Sequence, residues 1–163
     1  GSIDPTIIPY LIEHEGMTGE QVEDMLNRQS GLLGVSGLSN DSRNVCEAAA
    51  QGHYRAGLAI RILVHGIKKY IGAYVAEMNG IDALVFTAGI GENDAGLRRQ
   101  VCAGMDYLGI ALDEGANSSL PRGEAGDISA PGARVRTFVI PTDEEYMIAQ
   151  DTETLAKSVI HSH

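Results

Sequence analysis

The stretch Ala83-Leu84-Val85-Phe86-Thr87-Ala88-Gly89-Ile90-Gly91-Glu92-Asn93 decides the fold class of this 163-residue chain. Its first part, 83–86, is a short and continuously apolar run, which is typical of a strand buried on both faces. The segment 87–93 predicts a glycine loop. A helix follows the loop, with Asn93 or Asp94 as its cap and with an apolar face formed by Leu97, Val101 and Met105. A strand, a loop and a helix in this order indicate an α/β protein.

Two helices are predicted at the N-terminal end. Residues 5–15 carry apolar side chains at helical spacing, although Pro9 can kink this helix or delay its start. Thr18 and Gln21 form a capping-box pattern, which begins a second helix. The segment 30–40 follows, and because it is dense in glycine and serine we expect a structured loop there.

A short helix and a long one precede the quoted stretch. Asp41 is a suitable cap for a helix that breaks near Gly52. A long amphipathic helix then carries an apolar stripe from Ile60 to Met78, and Asn79-Gly80 ends it. The stripe can pack in the core of its own chain or against a second subunit, and the sequence leaves both possibilities open.

The C-terminal part predicts only one further strand. Residues 113–134 are rich in small and polar residues, so we expect a surface excursion. A second strand at 135–140 stops at Pro141, and Thr142-Asp143-Glu144-Glu145 opens a last helix to about Val159. Two strands make a thin sheet, so we expect an incomplete sheet and marginal stability for this chain by itself.

Composition limits the classes of function. The chain has 22 Asp+Glu against 12 Lys+Arg, a formal charge of −10, which argues against binding to nucleic acid or to an anionic membrane surface. No apolar run reaches the ~18 residues that a membrane span needs. We expect no signal peptide and a cytoplasmic location. The start at Gly1-Ser2, without Met, indicates a cloning scar or a piece of a longer chain.

Cysteine and histidine positions suggest no metal site. Cys46 and Cys102 lie far apart without a CxxC motif, so we expect two reduced thiols. The histidines show no spacing typical of metal ligands, and we expect them in the core or on the surface; they are His14, His53, His65, His161 and His163.

The predicted loop 87–93 is the first candidate for a binding site. Gly89 and Gly91 lack a Cβ atom, so the backbone can turn sharply and bring its N–H groups close to a ligand. The positive end of the following helix favours an anion, most simply a nucleotide phosphate. A dinucleotide fingerprint fails because Asp94 occupies its sixth position, and no Gly-Lys-Ser/Thr triplet completes a Walker A loop. A tight turn without any ligand is the alternative.

A second candidate lies where the other predicted strand ends. Thr142 and Glu145 have capping-box spacing, which gives Glu145 a structural role. Asp143 and Glu144 need no such role and follow a strand end, where ligands bind in α/β sheets. A carboxylate there can hold Mg²⁺, or the acids can simply complement the helix dipole. Asp41-Ser42-Arg43 is a third candidate, in which Asp41 is a cap and Arg43 could face a nucleotide.

Together these segments resemble the acetate kinase family. The resemblance spans essentially the whole chain and depends on the order and spacing of Ile3-Asp4-Pro5, residues 30–37, Asp41-Ser42-Arg43, residues 86–93 and residues 140–145. It implies phosphorylation of acetate, and often propionate, by ATP with Mg²⁺, giving an acyl phosphate and ADP. It also implies a ribonuclease-H-like core, as in actin and sugar-kinase-type ATPases, and a homodimer joined through the C-terminal domain.

The resemblance implies roles for particular residues. Glu144 would be the carboxylate associated with magnesium, and the nucleotide contacts would be Asp41, Ser42, Arg43, Gly89, Ile90, Gly91, Glu92 and Asn93. Two positions depart from the family pattern, because Ala88 stands where many members have glycine and Asp143 where asparagine is usual. We expect neither change to abolish nucleotide binding.

The resemblance further implies that residues 1–163 are only the C-terminal nucleotide-binding portion, a partial α/β domain without the first strands of its sheet. The N-terminal domain, which supplies most of the acetate site and the catalytic His and Asp, would be absent, as would the catalytic Arg. We therefore predict a phosphotransferase fragment with no catalytic residue of its own, inactive alone. The alternative is a non-catalytic nucleotide-binding or dimerisation module. The preference for acetate or propionate is not determined by these residues.

Overall fold

A computed structural model of the chain describes residues 3–160, with the exception of the side chains of residues 144, 154, 156 and 158–160. The expectations about Gly1-Ser2, His161 and His163 lie outside this range. The chain divides into two compact units, Gly1–Ile71 and Gly72–His163. No helix in the described range is both long enough and apolar enough to cross a membrane.

Helices form the first unit: α1 (Ile7–Glu15), α2 (Gly19–Arg28), α3 (Gly31–Ser36), α4 (Ser42–Ala50) and most of α5 (Tyr54–Glu77). The predictions of α1, α2, α4 and α5 are confirmed. Pro9 lies in the first turn of α1, where a backbone N–H has no acceptor within the helix, so the helix tolerates it. The capping box before α2 is present, because Thr18 N–H donates to Gln21 Oε1 (2.8 Å) and Gln21 N–H to Thr18 Oγ1 (3.2 Å).

The prediction of a loop at 30–40 is wrong for α3. Gly37 ends this helix in the left-handed conformation at φ 71°, and its N–H donates to Leu33 O (2.7 Å). Arg55 of α5 donates from Nε to Val35 O (2.8 Å) and from Nη2 to Gly34 O (3.1 Å). A side chain distant in sequence therefore stabilises a helix for which glycine and serine have little intrinsic preference.

The core of the first unit is small and aliphatic, and consists of Val22, Val45, Ala56, Ala59, Ile60 and Val64. The apolar stripe of α5 is only partly buried. Ile60 and Val64 belong to the core, whereas Tyr74 and Met78 near the C-terminal end of α5 are 62% and 61% exposed. Within the described part of the chain, the stripe thus includes both buried and exposed positions.

A three-stranded sheet forms the centre of the second unit, with strands β1 (Ala83–Phe86), β2 (Gly126–Asp127) and β3 (Arg136–Val139) in the order β1-β3-β2. The two predicted strands are confirmed, and β2 raises the number of strands in the described sheet to three. The expected burial of β1 on both faces is wrong, because Val85 is 44% exposed and only Phe86 of this strand is buried. The helices of this unit are α6 (Ala88–Asn93), α7 (Ala95–Cys102), a 3₁₀ turn (Asp106–Leu108), α8 (Glu114–Ser119) and α9 (Glu144–Ile160). Met105 follows α7 instead of lying on it, although its side chain is buried as expected of a core residue.

The pairing of β1 with β3 determines where a ligand could bind. The two strands are parallel, Phe86 lies beside Val139, and Ile140 N–H donates to Phe86 O (2.9 Å). Because parallel strands end at the same edge, the segment after β1 and the segment after β3 lie next to each other. Carboxyl edges of this kind bind ligands in many α/β proteins.

The segment 113–134, predicted as a surface excursion, is in part buried. It contains α8 and β2, and the side chains of Asn117 and Ile128 are 1% and 0% exposed. Gly126 allows close packing here, since a Cβ atom at that position would lie 2.4 Å from Leu120 Cδ1. Small residues in this segment therefore permit tight packing as well as turns.

Candidate functional site

The segment between β1 and α7 is a kinked helical turn. Residues 88–93 form α6, so the prediction of a glycine loop is wrong for them, and the helical geometry is interrupted at Gly89 (φ 4°, ψ −92°). Ala88 adopts φ 57° in the left-handed region, at a position where the resemblance marked a departure from glycine. We use the name nucleotide loop for Gly89–Asn93, the residues for which a nucleotide contact is proposed below.

Glu92 connects the nucleotide loop to the segment after β3. Its Oε1 accepts hydrogen bonds from Ala88 N–H (2.6 Å), Thr142 N–H (2.8 Å) and Thr142 Oγ1 (3.1 Å). The backbone N–H of Thr142 is the main cause that lowers the pKa of Glu92 below its ordinary value. The ionised carboxylate therefore holds two segments together at the edge of the sheet.

The two glycines of the nucleotide loop have different surroundings. Gly91 is buried, and a Cβ atom there would lie 3.7 Å from backbone and side-chain atoms of Phe86. Gly89 is exposed, and a Cβ atom there would meet nothing within 4 Å. Asn93, also exposed, donates from Nδ2 to Gly89 O (2.7 Å). The two exposed residues of the loop are thus Gly89 and Asn93, while Ile90 and Glu92 are half-buried.

A buried arginine lies behind this loop, and the sequence predictions missed it. Arg98 of α7 is 2% exposed and donates to the carbonyl oxygens of Gly91 (2.9 Å) and Glu92 (2.7 Å). It also donates to Asn117 of α8, to Oδ1 at 2.8 Å and to the backbone oxygen at 3.1 Å. Burial lowers the pKa of the Arg98 guanidinium. The available signal was its position beside Leu97, on the apolar face of a short helix.

Asp143, and not Thr142, caps α9. Its Oδ1 accepts from Tyr146 N–H (3.0 Å), and α9 begins at Glu144. The predicted capping box of Thr142 with Glu145 is therefore wrong, as is the expectation that Asp143 has no capping role. The physical reason is that the Thr142 hydroxyl is already bonded to Glu92. Glu144 stands at the first helical position, and its side chain lies outside the described part of the chain.

Asp41, Ser42 and Arg43 lie in the first unit, at the start of α4. The predicted cap is confirmed, because Asp41 Oδ1 accepts from Arg43 N–H (2.9 Å). The Arg43 guanidinium pairs with the same carboxylate, with Nη2 2.6 Å from Oδ2, while 81% of its side chain is exposed. This pairing lowers the pKa of Asp41 and raises that of Arg43. Ser42 is the first residue of α4.

The residues at this edge of the sheet can be compared with the ligands that a magnesium ion requires. Among the described side chains, no group of three or more His, Cys, Asp or Glu could hold a metal ion. Mg²⁺ in nucleotide sites usually takes one or two carboxylates and completes its coordination with phosphate oxygens and water. A carboxylate at the start of α9 suits that donor set, and the exposed backbone at Gly89 leaves room for phosphate.

The geometry therefore defines an α/β protein with a candidate ligand site at the carboxyl edge of two parallel strands. Comparison with known proteins identifies the family: a model of the acetokinase family matches residues 1–150. The acetate kinase of Moorella thermoacetica is 54% identical over 158 residues, which cover 97% of this chain and 39% of that protein. The chain belongs to the acetokinase family.

Solved structures agree with this assignment. The crystal structure of Porphyromonas gingivalis acetate kinase matches with a TM-score of 0.83 and 45% identity, over 96% of this chain and 39% of that one. A propionate kinase from Francisella tularensis matches with a TM-score of 0.80 and 41% identity, over 92% of this chain and 38% of that one. The chain thus spans about two fifths of the length of these relatives.

Proposed function

We propose that this chain supplies the nucleotide side of an enzyme that transfers a phosphoryl group from ATP to acetate or propionate, giving ADP and an acyl phosphate. The observation that carries the proposal is the bond of Glu92 to Thr142. It holds the nucleotide loop beside the start of α9, at the carboxyl edge of two parallel strands, in a member of the acetokinase family. Both acetate and propionate kinases are among the similar structures.

Each proposed residue has a defined part. Gly89, Ile90, Gly91, Glu92 and Asn93 surround the phosphates, with Gly89 and Asn93 on the accessible side and Glu92 acting through its bonds to Ala88 and Thr142. Glu144 holds Mg²⁺, which when bound neutralises charge on the transferred oxygens. The resemblance alone supports Asp41, Ser42 and Arg43 as a further nucleotide contact. No catalytic residue is assigned to this chain.

The architecture of the whole enzyme is part of the same proposal. Residues 1–163 are a partial C-terminal domain of ribonuclease-H-like type, and an N-terminal portion supplies the acetate site. The position of β1 at the edge of the described sheet supports further strands beside it. A homodimer is proposed through exposed apolar side chains in the C-terminal part of α5 and directly after it, among them Tyr70, Tyr74 and Met78. The enzyme is proposed to act in the cytoplasm.

Nucleotide binding tests the first part of the proposal. We expect the chain to bind a fluorescent ATP analogue with Mg²⁺ saturably, and ATP to compete with it. Asn93→Ala should weaken this binding, and Glu144→Gln should reduce its dependence on Mg²⁺. Asn27→Ala, at an exposed position on α2, is the matched control and should bind like the unsubstituted chain. Equal affinity in the Asn27 and Asn93 variants would contradict the role of the loop.

Turnover tests the second part. We expect no acetyl phosphate from the chain alone. We expect acetyl phosphate when the chain is fused to the N-terminal portion of the Moorella thermoacetica acetate kinase, and its loss when the fusion carries Glu144→Gln. Formation by the chain alone, with host kinases excluded, would contradict the predicted inactivity. A fusion that binds ATP without any turnover would favour the non-catalytic module.

A further inference from the structure

The guanidinium of Arg98 is buried among uncharged oxygen atoms. Its hydrogen bonds go to the carbonyl oxygens of Gly91, Glu92 and Asn117 and to the side-chain Oδ1 of Asn117. With 2% of the residue exposed, water does little to solvate the charge. Burial of this charge opposes folding and lowers the pKa of Arg98, although the nearby Asp94 carboxylate attracts the guanidinium and offsets part of that effect. The hydrogen bonds of this buried guanidinium to carbonyl oxygens of the nucleotide loop therefore indicate a role in that loop.

The break between α6 and α7 explains which oxygens Arg98 binds. Gly91 and Glu92 lie in the last turn of α6, where carbonyl oxygens lose their intrahelical donors because the helix ends. Asp94 leaves the helical conformation (φ −118°, ψ 92°), and α7 begins with the next residue. Arg98 supplies donors to both oxygens from one nitrogen, Nη1. Arg98 lies on α7, beyond the break at Asp94, and its hydrogen bonds stabilise the end of the nucleotide loop that precedes the break.

Asn117 holds the opposite edge of the guanidinium. Its Oδ1 accepts from Arg98 Nε, and its Nδ2 donates to Ala95 O (3.0 Å), the first residue of α7. Asn117 is itself 1% exposed. The guanidinium plane is therefore held from two sides, by the loop carbonyls on one and by α8 on the other. A lysine keeps the positive charge but lacks the planar fork that such an arrangement requires.

We propose that Arg98 is a positioning residue of the nucleotide loop, which sets the geometry in which the loop receives the phosphates of Mg²⁺-ATP. This inference depends on the proposed function of the loop. Arg98 does not contact the nucleotide, because its side chain is buried behind the loop. It acts by fixing two peptide groups of the loop, and its charge polarises those groups toward an anion on their far side.

The experiment compares two arginines that are neighbours on α7. Arg98→Lys keeps the charge and loses the fork. Arg99→Lys is the matched control, since Arg99 pairs with Glu114 at the surface (2.7 Å) and 53% of its side chain is exposed. For the 163-residue chain we would measure the dissociation constant of a fluorescent ATP analogue with Mg²⁺, the thermal midpoint, and amide hydrogen exchange of 88–94 and of β3.

The expected result is specific to the loop. Arg98→Lys should weaken nucleotide binding by roughly ten- to a hundredfold, the loss typical when a residue that orients metal ligands is replaced, while Arg99→Lys should leave it unchanged. Exchange at 88–94 should accelerate in Arg98→Lys alone, with β3 protected as before. If Arg98→Lys does not fold, Asn117→Ala replaces it, since that variant keeps Arg98 and frees one edge of the guanidinium. It should accelerate exchange at 88–94 in the same way.

Three results would overturn the proposal: unchanged binding in a folded Arg98→Lys protein, an equal loss in Arg99→Lys, or acceleration of exchange in β3 to the same extent as in 88–94. The last would show a merely structural role. If the unsubstituted chain binds no nucleotide, the proposed function fails. The exchange measurement, which needs no nucleotide, still decides in that case whether Arg98 orders the loop.

Discussion

The carboxylate of Glu92 accepts two hydrogen bonds from Thr142, 50 residues further along the chain, at 2.8 Å from its N–H and 3.1 Å from its hydroxyl. The same oxygen accepts from Ala88 N–H. Glu92 thus belongs to the nucleotide loop by sequence, while its side chain determines how the loop meets the segment before α9. Two candidate sites that are separate in sequence become one through this carboxylate.

Glu92→Gln should destabilise the protein near neutral pH and change its response to acid. The hydrogen bonds lower the folded-state pKa of Glu92 relative to the unfolded state, so its stabilising contribution is present at neutral pH. This contribution is lost as the pH falls through the lowered folded-state pKa. Thermal midpoints of both proteins between neutral and acidic pH should therefore converge in acid.

Glu124→Gln, at an exposed position, is the control for the removal of a charge and should shift the midpoint little. The acid-dependent loss from other carboxylates with lowered pKa, such as Asp41 and Asp127, occurs in all three proteins and cancels in the comparison. A midpoint difference between Glu92→Gln and the unsubstituted protein that is constant over the whole pH range would contradict the prediction.

Ala88→Gly should stabilise the protein. The left-handed conformation at φ 57° costs an L-residue roughly 1–2 kcal/mol. Glycine avoids this cost. Its greater conformational freedom in the unfolded state, however, lowers the free energy of unfolding by about 0.5–1 kcal/mol. We expect a net increase of about 0.5–1 kcal/mol in the free energy of unfolding, measured by urea denaturation.

The matched control for this prediction is Ala73→Gly, an exposed alanine within α5. There the same substitution should cost about 1 kcal/mol, because the helical backbone suits alanine. A loss of stability in both variants would show that Ala88 is not strained.

Thr137→Val should also stabilise the protein. Thr137 is 0% exposed, and its Oγ1 finds no hydrogen-bond partner among the described residues. Valine has nearly the same shape and removes the unsatisfied hydroxyl, so we expect a gain of about 1 kcal/mol in the free energy of unfolding.

Ser129→Ala provides the contrast, since Ser129 Oγ accepts from Thr137 N–H at 2.7 Å. Its removal should cost about 1 kcal/mol by depriving a strand N–H of its acceptor. Destabilisation by Thr137→Val in the same denaturation experiment would mean that its hydroxyl is in fact bonded.

Asp143→Ala should lower the stability of α9 by about 1 kcal/mol, because Asp143 caps this helix through Tyr146 N–H. Asp143→Asn should preserve the cap, since asparagine is equally suitable at that position. Far-ultraviolet circular dichroism and the thermal midpoint would distinguish the two variants. An equal decrease in both would indicate that the charge of Asp143, and not its capping bond, stabilises the helix.

Helix caps and strands that depend on residues close in sequence could be predicted from the sequence. The strand at 83–86, the capping box of Thr18, the cap at Asp41 and a cap at Asn93 or Asp94 all depend on residues within a few positions. The structure confirms the strand and these caps, with Asp94 as the one that caps α7. The parallel pairing of β1 and β3 agrees with the α/β order of elements. The candidate site was predictable to the extent that both of its segments follow strand ends.

The remaining features depend on partners distant in sequence. Short helix α3 relies on Arg55, the Thr142 hydroxyl bonds Glu92 instead of capping α9, and Arg98 is buried between the nucleotide loop and Asn117. Local patterns of the chain determine caps, periodicity and strand ends because these involve adjacent backbone groups. Which polar side chain satisfies which distant carbonyl or N–H is decided only when the chain is folded, since burial makes an unpaired polar group costly and selects the partner that lies within reach.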